Sequence, residues 1–440
     1  MTVTARTQPV ARESVAATRA LWSALDAAAT PASTLAILAA LVRTLSASDY
    51  GILVIALAAS GLSMAVNPAI AAATTKFISE LSGQRDAGGR TVAGVITVSL
   101  LTVSIIDLVL LIGTAVFNEP LSRWAFGAAA GRGQHLGAVL LLAVLAIGIQ
   151  QLETVLAAAI RGLERFRRQA LIELVSRAAL TAVVTYVAWH TRSLEKILIA
   201  QCAAYLASTL MRAEALRRLL PGKRLFEVAS RAEAGALFRY GGWMWLTALA
   251  GVAYTSADRI MVGRSLGAAA AGQYNIYVQI TQLIHFVPAS VFAFSFPAFS
   301  RLAAQDNVRS EEIARAYRTY LLAIGMLAIG IVAAMMVSWP FLLRTFVGAG
   351  FASGQFSAPG LLMVNFLLLA FCVAPYYLLL ALGQARVVAV ISASSMLAAL
   401  MLMAVLIPRY GMEGAALARL AYGGGMLMLL YRVHRVMKCI

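Results

Sequence analysis

The chain has 440 residues, of which 61% are hydrophobic and 12% are charged. A soluble globular protein is typically about half apolar and about a quarter charged, so a soluble enzyme, an extracellular domain and a disordered regulator are excluded. The 36 Lys and Arg residues outnumber the 19 Asp and Glu residues. Because the basic residues lie in short gaps between apolar runs, membrane topology explains this excess without a nucleic-acid partner.

The pattern of apolar runs predicts an all-α, polytopic membrane protein with twelve transmembrane helices. A bilayer-spanning helix needs about 20 mostly apolar residues. Twelve runs meet this requirement, at residues 20–43, 50–73, 91–117, 136–160, 169–190, 194–214, 237–258, 272–298, 316–342, 358–382, 386–407 and 412–431. The first run is too long for a signal peptide and opens a series of eleven more, so we interpret it as a retained helix.

The distribution of Lys and Arg predicts the orientation in the membrane. Most of them lie at the N-terminus, at the C-terminus and in the loops that follow even-numbered runs. Under the positive-inside rule, this distribution places both termini in the cytoplasm, with the chain in the bacterial inner membrane.

Short motifs recur at an offset of about 221 residues, at corresponding places in the two halves of the chain. Asp49-Tyr50-Gly51 opens run two, and Gly272-Gln273-Tyr274 opens run eight. A doubled chain predicts an N-terminal six-helix lobe (1–218), a cytoplasmic linker (219–234) and a C-terminal six-helix lobe (235–440), with a central cavity between the lobes. Chance alignment of apolar, Ala-rich helices is the alternative explanation.

Polar residues inside the apolar runs share helix faces, which indicates that they line a cavity. Such residues are costly in hydrocarbon and usually face a cavity or a partner. The three stripes comprise Arg19, Ser23, Asp26, Thr30 and Ser33 in run one, Ser60, Ser63, Asn67 and Thr74 in run two, and Asn275, Gln279, Gln282 and His285 in run eight. For run two, hydrogen bonding between packed helices is an equally good explanation.

Ionisable residues well inside the runs are concentrated in the first half of the chain. Glu153 lies in run four, and Glu173 and Arg177 lie one turn apart in run five. Glu173 and Arg177 could simply neutralise each other, but Arg177 lies near the middle of the membrane, a poor place for a structural cation. We therefore expect the first lobe to carry most of the charge-recognising and ion-coupling chemistry.

The sequence contains no pattern that predicts catalysis or a bound cofactor. It has no G-x-x-x-x-G-K-[ST] loop and no H-E-x-x-H motif, and its four His residues are scattered. We therefore predict a protein that is not an enzyme, with no catalytic residues, no metal site and no cofactor beyond a coupling H⁺ or Na⁺.

Several segments resemble the polysaccharide/oligosaccharide flippases of the multidrug/oligosaccharidyl-lipid/polysaccharide exporter superfamily. They are Leu45-Ser46-Ala47-Ser48-Asp49-Tyr50-Gly51, Asp258-Arg259-Ile260-Met261-Val262-Gly263, Leu266-Gly267, Gly272-Gln273-Tyr274 and Phe296-Pro297-Ala298-Phe299-Ser300. The resemblance covers nearly the whole chain through its length, its twelve runs and its doubled plan. It implies two six-helix lobes that open alternately, with runs one, two, seven and eight around the cavity.

The resemblance also implies a substrate, an oligosaccharide on a polyprenyl diphosphate carrier that moves from the cytoplasmic to the outer leaflet. Arginine forks suit a diphosphate, and Arg19 and Arg177 are the candidates. Amide side chains suit sugars, and the candidates are Asn67, Asn275, Gln279 and Gln282. The candidates for ion coupling are Asp26, Glu153, Glu173 and His285. The expected partners are the lipid-linked oligosaccharide and membrane lipids, with a polysaccharide polymerase or glycosyltransferases as further candidates and no nucleic acid.

Other functions remain open at this point. The nearest is a drug/cation antiporter of the same fold, in which Asp26 would attract a cationic substrate. A major facilitator transporter is less favoured, because the loop from Gly83 to Arg90 departs from that family's G-x-x-x-D-R-x-G-R pattern. A lipid II flippase would tend to carry two further spans, and a membrane glycosyltransferase would need a larger outer loop with carboxylates.

Overall fold

The fold is all-α over the part of the chain that the computed structural model describes, which is residues 8–61, 64, 67–83, 91–127, 135–220, 231–292, 295, 299, 302, 310–346 and 357–439. Within these residues the chain forms sixteen helices and no β-strand. Eight helices lie before residue 221: α1 (Gln8–Thr44), α2 (Ala47–Gly61), α3 (Asn67–Gly83), α4 (Val92–Val116), α5 (Asn118–Phe126), α6 (His135–Gly162), α7 (Phe166–Thr191) and α8 (Leu194–Leu219).

Eight more helices follow residue 230. They are α9 (Arg231–Leu266), α10 (Ala268–Thr281), α11 (Leu283–Val291), α12 (Ser310–Phe346), α13 (Ser357–Phe371), α14 (Val373–Ala381), α15 (Ala385–Met426) and α16 (Met428–Cys439). The predicted linker falls between α8 and α9, and residues 221–230 lie outside the described part. The division into two lobes stays a prediction.

These helices confirm a polytopic, all-α membrane protein. By length and composition, seven helical segments of the described chain are able to cross a bilayer, and shorter apolar helices accompany them. On α4, the apolar side chains Ile105, Leu108 and Val109 are each more than half exposed. An apolar face of this kind is stable only against lipid. The count of twelve crossings stays a prediction.

Helix boundaries differ from the predicted runs at several breaks. Run two is divided into α2 and α3, run eight into α10 and α11, and run ten into α13 and α14. Runs eleven and twelve are joined in α15, which is interrupted at Gly411, where φ is 60° and ψ is −137°. Glycine is suited to this position because a β-carbon disfavours positive φ. Run seven extends beyond its predicted end at 258 to Leu266.

Several helix pairs bring the two halves of the chain together. In the first half, α1 packs on α7, and α6 packs on α3, α4 and α8. In the second half, α15 packs on α9 and α13. Between the halves, α2 contacts α9 and α10, and α3 contacts α9. A cavity lies beside these contacts.

Candidate functional site

The candidate site is a central cavity of about 540 Å³ between the two halves of the chain. Helices α1, α2 and α6 of the first half and α9 and α10 of the second half contribute to its wall, together with the start of α3. These helices contain parts of runs one, two, seven and eight, which the resemblance places around a cavity. The polar lining residues are Thr34, Tyr50, Asn67, Thr154, Thr255, Ser256, Arg259, Asn275 and Gln279.

Three of the four amides predicted to bind sugar line this cavity together. Asn67 begins α3, and Asn275 and Gln279 lie one turn apart on α10. Asn275 donates a hydrogen bond from Nδ2 to the Tyr50 hydroxyl at 2.7 Å, and the buried Oδ1 of Asn67 has no partner. The fourth amide, Gln282, lies beyond the lining and donates from Nε2 to Gln279 Oε1. The cavity thus combines amide donors and acceptors from both halves.

Arg259 is the cation in the wall of the central cavity, and the sequence analysis did not include it among the candidates. It lies seven residues before the end of α9, about 10 Å along the helix axis. Its Nη1 donates to the backbone oxygen of Thr255, and its Nε has no partner. The sequence signal was misread because the charged pair Asp258-Arg259 was interpreted as the end of run seven, whereas the helix continues to Leu266.

The carboxylate of Asp258 faces a second guanidinium instead of the cavity. Arg419 Nε lies 3.3 Å from Asp258 Oδ2, and both side chains are fully buried. The Arg419 guanidinium also lies over the Tyr254 ring, 4.3 Å from its centroid. Asp258 therefore offsets Arg419, and Arg259 contributes an excess positive charge. No acidic side chain occurs among the described residues that line the central cavity.

Arg177, predicted to bind diphosphate, lies in a buried network within the first half of the chain. Its Nε lies 2.7 Å from Glu173 Oε1, and its Nη2 lies 3.1 Å from Glu153 Oε1. Arg212, which is fully buried on α8, contacts the same two carboxylates, with 3.0 Å between its Nη1 and Glu153 Oε1. Two carboxylates and two guanidiniums therefore balance in charge. We call Glu153, Glu173, Arg177 and Arg212 the buried quartet.

A second, smaller cavity of about 170 Å³ is lined by Arg177 of the quartet and lies beside the central cavity. Its polar wall includes Thr30, Gln150, Gln201 and Tyr205. Side chains of α1 and α2 line both cavities: Thr34, Ile37, Leu41, Leu53 and Leu57. The two cavities are thus separated by a wall one side chain thick, and Arg177 lies on the far side of that wall.

The remaining candidates occupy different surroundings. Asp26 Oδ2 lies 2.8 Å from Arg161 Nη2, and Asp26 also accepts from Gln169, which bonds Glu173 as well. His285, on α11, lies against the backbone of Leu369 and lines neither cavity. Arg19 belongs to α1, and its side chain lies outside the described residues. Within the described residues, no group of three or more His, Cys, Asp or Glu side chains could hold a metal ion.

Comparison with solved structures shows the fold. The chain is similar to an inward-facing conformation of a multidrug resistance MATE family transporter of the MOP superfamily, with a TM-score of 0.71, 16% identity, and coverage of 94% of this chain and 99% of that chain. It is also similar to a MOP superfamily transporter from Pyrococcus furiosus, described as having a binding pocket of reverse polarity that suggests a different function. That TM-score is 0.65, at 15% identity, with 96% and 94% covered.

Comparison with curated sequences adds a relative from Shigella flexneri named "Putative O-antigen transporter". It is 22% identical over 182 residues, which are 41% of this chain, and the alignment spans 42% of the relative's own length. These similar proteins are described as transporters, not enzymes. A family model described as polysaccharide biosynthesis protein matches residues 34–303. With more than half of its length matched by that model, and with the fold of the MOP superfamily, the chain belongs to the polysaccharide biosynthesis protein family.

Proposed function

We propose that this protein is a flippase that moves a polyprenyl-diphosphate-linked oligosaccharide, a cell-surface or exopolysaccharide repeat unit, from the cytoplasmic to the outer leaflet. The observation that carries this proposal is the central cavity, where the excess cation Arg259 lies among amides and hydroxyls. Arg259 is half-buried, and an ionisable side chain inside a membrane is costly and by default indicates a functional site. An anionic, hydroxyl-rich substrate matches that lining.

Each part of the substrate has a matching group in the cavity. The Arg259 guanidinium can bind diphosphate oxygens through parallel N–H donors. Asn67, Asn275 and Gln279 can donate to and accept from sugar hydroxyls. Arg177 is already held by two carboxylates and lines only the smaller cavity, so its binding of diphosphate would need a rearrangement that opens the two cavities to each other. Arg19 remains a candidate at the N-terminal end of α1.

Contacts between α2 and α10 support alternating access for this transport. A β-carbon at Gly51 would overlap the carbonyl group of Ala268, so these helices touch backbone to backbone. Gly272 also packs on the Tyr50 ring, where a β-carbon would lie 3.0 Å from Cδ1. If both termini lie in the cytoplasm of a bacterial inner membrane, this contact lies at the outer end and closes the cavity there. Separation of α2 from α10 would then open the outer end.

Ion coupling is proposed for Asp26, Glu153, Glu173 and His285. The quartet supports a role for the two glutamates, because Arg177 and Arg212 each contact both Glu153 and Glu173. Protonation of either carboxylate would remove one negative charge from the quartet, so that a guanidinium is held less firmly and can move. Arg177 is the guanidinium that lines the smaller cavity, beside the side chains that both cavities share. Glu153→Gln and Glu173→Gln should abolish the dependence of transport in proteoliposomes on an imposed proton or sodium gradient. Gradient dependence that survives in both variants would contradict this assignment.

The substrate is tested in a strain that lacks the protein. We expect one complete polyprenyl-linked repeat unit to accumulate, measured by mass spectrometry of extracted lipids, with its surface glycan missing. A polymerase or glycosyltransferases acting on the same glycan would then be its partners. New sensitivity to cationic drugs without any change in glycan would instead identify a drug/cation antiporter, a function for which the central cavity offers no lining carboxylate among the described residues.

Arg259→Gln tests the cavity itself. The substitution retains a polar, hydrogen-bonding side chain but removes the positive charge, so the repeat unit should accumulate about as in the deletion strain. The corresponding loss is 10-fold or more in transport, because a hydrogen bond to a charged group contributes about 1.5–3 kcal/mol. Arg318→Gln, an exposed position on α12, is the matched control. Normal glycan in the Arg259→Gln strain, at normal protein levels, would contradict the proposed site.

A further inference from the structure

A groove outside both cavities lies where α7 begins and α8 ends, beside Trp22 of α1, and has a volume of about 1290 Å³. It shares no lining residue with the central or the smaller cavity. We call it the basic groove. Because the basic groove is separate from the central cavity, its ligand can differ from the transported substrate.

The charge of the basic groove is positive. Arg165, Arg167 and Arg168 come from the start of α7, and Arg218 comes from the end of α8. The acidic lining residues are Glu164 and Glu214, and Glu214 accepts a hydrogen bond from Arg218 at 2.7 Å. Four cations therefore face two carboxylates, and the three arginines at the start of α7 are exposed. The lining therefore carries an excess of positive charge, which suits an anionic ligand.

Backbone groups at the start of α7 point to the same kind of ligand. Arg165 is the N-cap residue, and its side chain makes no cap hydrogen bond. Backbone N–H groups of the first helical turn have no partner within the helix, and they attract phosphate in particular. The guanidiniums of the arginines at this helix end can donate paired hydrogen bonds to the oxygens of the same phosphate.

The remaining wall of the groove is apolar and faces the lipid side. Leu171, Leu210 and Met211 are 45%, 61% and 42% exposed. The Arg167 guanidinium lies 5.8 Å from the centroid of the Trp22 ring, and tryptophan is typical of the depth of lipid headgroups. The volume also exceeds the 300–1,000 Å³ that is usual for small-molecule pockets. The ligand thus has an anionic head at the arginines and a hydrocarbon part along the leucines.

From this arrangement we propose that the basic groove binds an anionic phospholipid of the membrane. Its phosphate lies at Arg165, Arg167 and Arg168, and an acyl chain lies along Leu171, Leu210 and Met211. Free phosphate would leave the apolar wall unused. Basic pockets between transmembrane helices are known to hold such headgroups. The bound lipid connects α1, α7 and α8, the helices that also carry Asp26 and three members of the buried quartet.

The test is lipid retention by the full-length protein, measured by native mass spectrometry. The protein in detergent is titrated with phosphatidylglycerol or with phosphatidylethanolamine of the same acyl chains. We expect phosphatidylglycerol to bind more tightly, and Arg167→Gln/Arg168→Gln to weaken it by about fivefold per arginine. Arg218→Gln should weaken binding as well, whereas Arg217→Gln should not, because the exposed Arg217 lies outside the groove lining. Equal retention of the two lipids, or equal loss at Arg217 and Arg218, would overturn the proposal.

Two further arms distinguish other sources of the anion. Displacement of phosphatidylglycerol by millimolar inorganic phosphate would overturn the proposal in favour of a free anion site. Unchanged phosphatidylglycerol retention in Arg167→Gln/Arg168→Gln, together with accumulation of the lipid-linked glycan, would overturn it in favour of a substrate entrance. Retention does not depend on transport, so its outcome stands apart from that of the proposed flippase function.

Discussion

Arginines inside the helices of this protein differ in their charge balance because their neighbours differ. Arg177 and Arg212 share Glu153 and Glu173, so charge within the quartet is balanced. Arg259 has no carboxylate of its own, since Asp258 faces Arg419. A balanced cluster is suited to stability and to switching between pairings, whereas an excess cation in a cavity wall is suited to binding an anion.

Removal of Arg212 alone should strongly destabilise the protein. Arg212→Met leaves two buried carboxylates with one guanidinium, and breaking a buried pair in this way costs about 3–5 kcal/mol. The double variant Arg212→Met/Glu173→Gln restores the charge balance and should recover part of the loss. Thermal unfolding in detergent measures both, with the exposed Arg217→Met as the control. A melting temperature for Arg212→Met equal to that of the wild type would show that the quartet does not stabilise this state.

At the scale of elements, the junction of α2 with α10 depends on the absence of side chains. Gly51 meets the Ala268 carbonyl group and Gly272 meets the Tyr50 ring, while Gly263 of the neighbouring α9 meets the Ile55 side chain of α2. Asn275 adds a hydrogen bond to Tyr50 across the same junction. Helices that approach to backbone contact can form a closed seal and still separate without breaking a large apolar interface.

Gly51→Val should therefore favour the state in which α2 and α10 are apart. The new β-carbon would collide with backbone atoms, which cannot rotate away. Spin labels at Ala47→Cys and Ala269→Cys, on a cysteine-free background, measure the separation by electron paramagnetic resonance. We expect the longer distances to gain population in Gly51→Val and to remain unchanged in Gly113→Val, since Gly113 has open space around it. The same distances in both variants would exclude a gate at this junction.

The interruption of α15 provides a second test at this scale. Gly411→Ala places a β-carbon at a φ of 60°, and strain of this kind costs about 1–3 kcal/mol. Gly424→Ala lies in the same helix with open space around it and should leave stability unchanged or slightly raised. Chemical denaturation of both variants gives the comparison. Equal stabilities would mean that the backbone at Gly411 is free to adopt an ordinary helical conformation.

At the scale of the whole molecule, the excess of basic residues predicts orientation. The chain has a formal net charge of +17, and the basic groove lies at the end where α7 begins and α8 ends. Cytoplasmic loops carry such an excess, and an anionic leaflet would attract them. This end of the molecule is therefore expected to face the cytoplasm.

Reporter fusions test that orientation. A green fluorescent protein fused after Ile440 should be fluorescent, and alkaline phosphatase at the same place should be inactive, because the C-terminus is expected in the cytoplasm. A truncated fusion after Ala130, in the predicted outer loop, should give the opposite pair of results and serves as the control. An active phosphatase after Ile440 would reverse the orientation, and with it the direction in which the closed junction faces.

Sequence patterns were sufficient for features that depend on single segments. An apolar run of about 20 residues is suited to hydrocarbon by its own composition, so the all-α membrane class followed from the runs directly. The backbone break at Gly411 falls in the gap predicted between runs eleven and twelve. Asn275 and Gln279 share a helix face because they lie four residues apart, and both line the central cavity. The end of run seven was wrong, because a charged pair within a long helix was interpreted as its boundary.

The sequence by itself determined that this chain spans a membrane as helices and which side chains share a face, because hydrophobicity and helical periodicity act within one segment. Only the tertiary structure decided which arginine faces the central cavity. Arg177 and Arg259 both follow an acidic residue closely in sequence, yet Glu173 reaches Arg177 whereas Asp258 reaches Arg419, 161 residues away. Whether an arginine remains without a carboxylate, and so can bind an anionic ligand, depends on which helices are neighbours. Those neighbours are decided by the packing of segments that are far apart in the sequence.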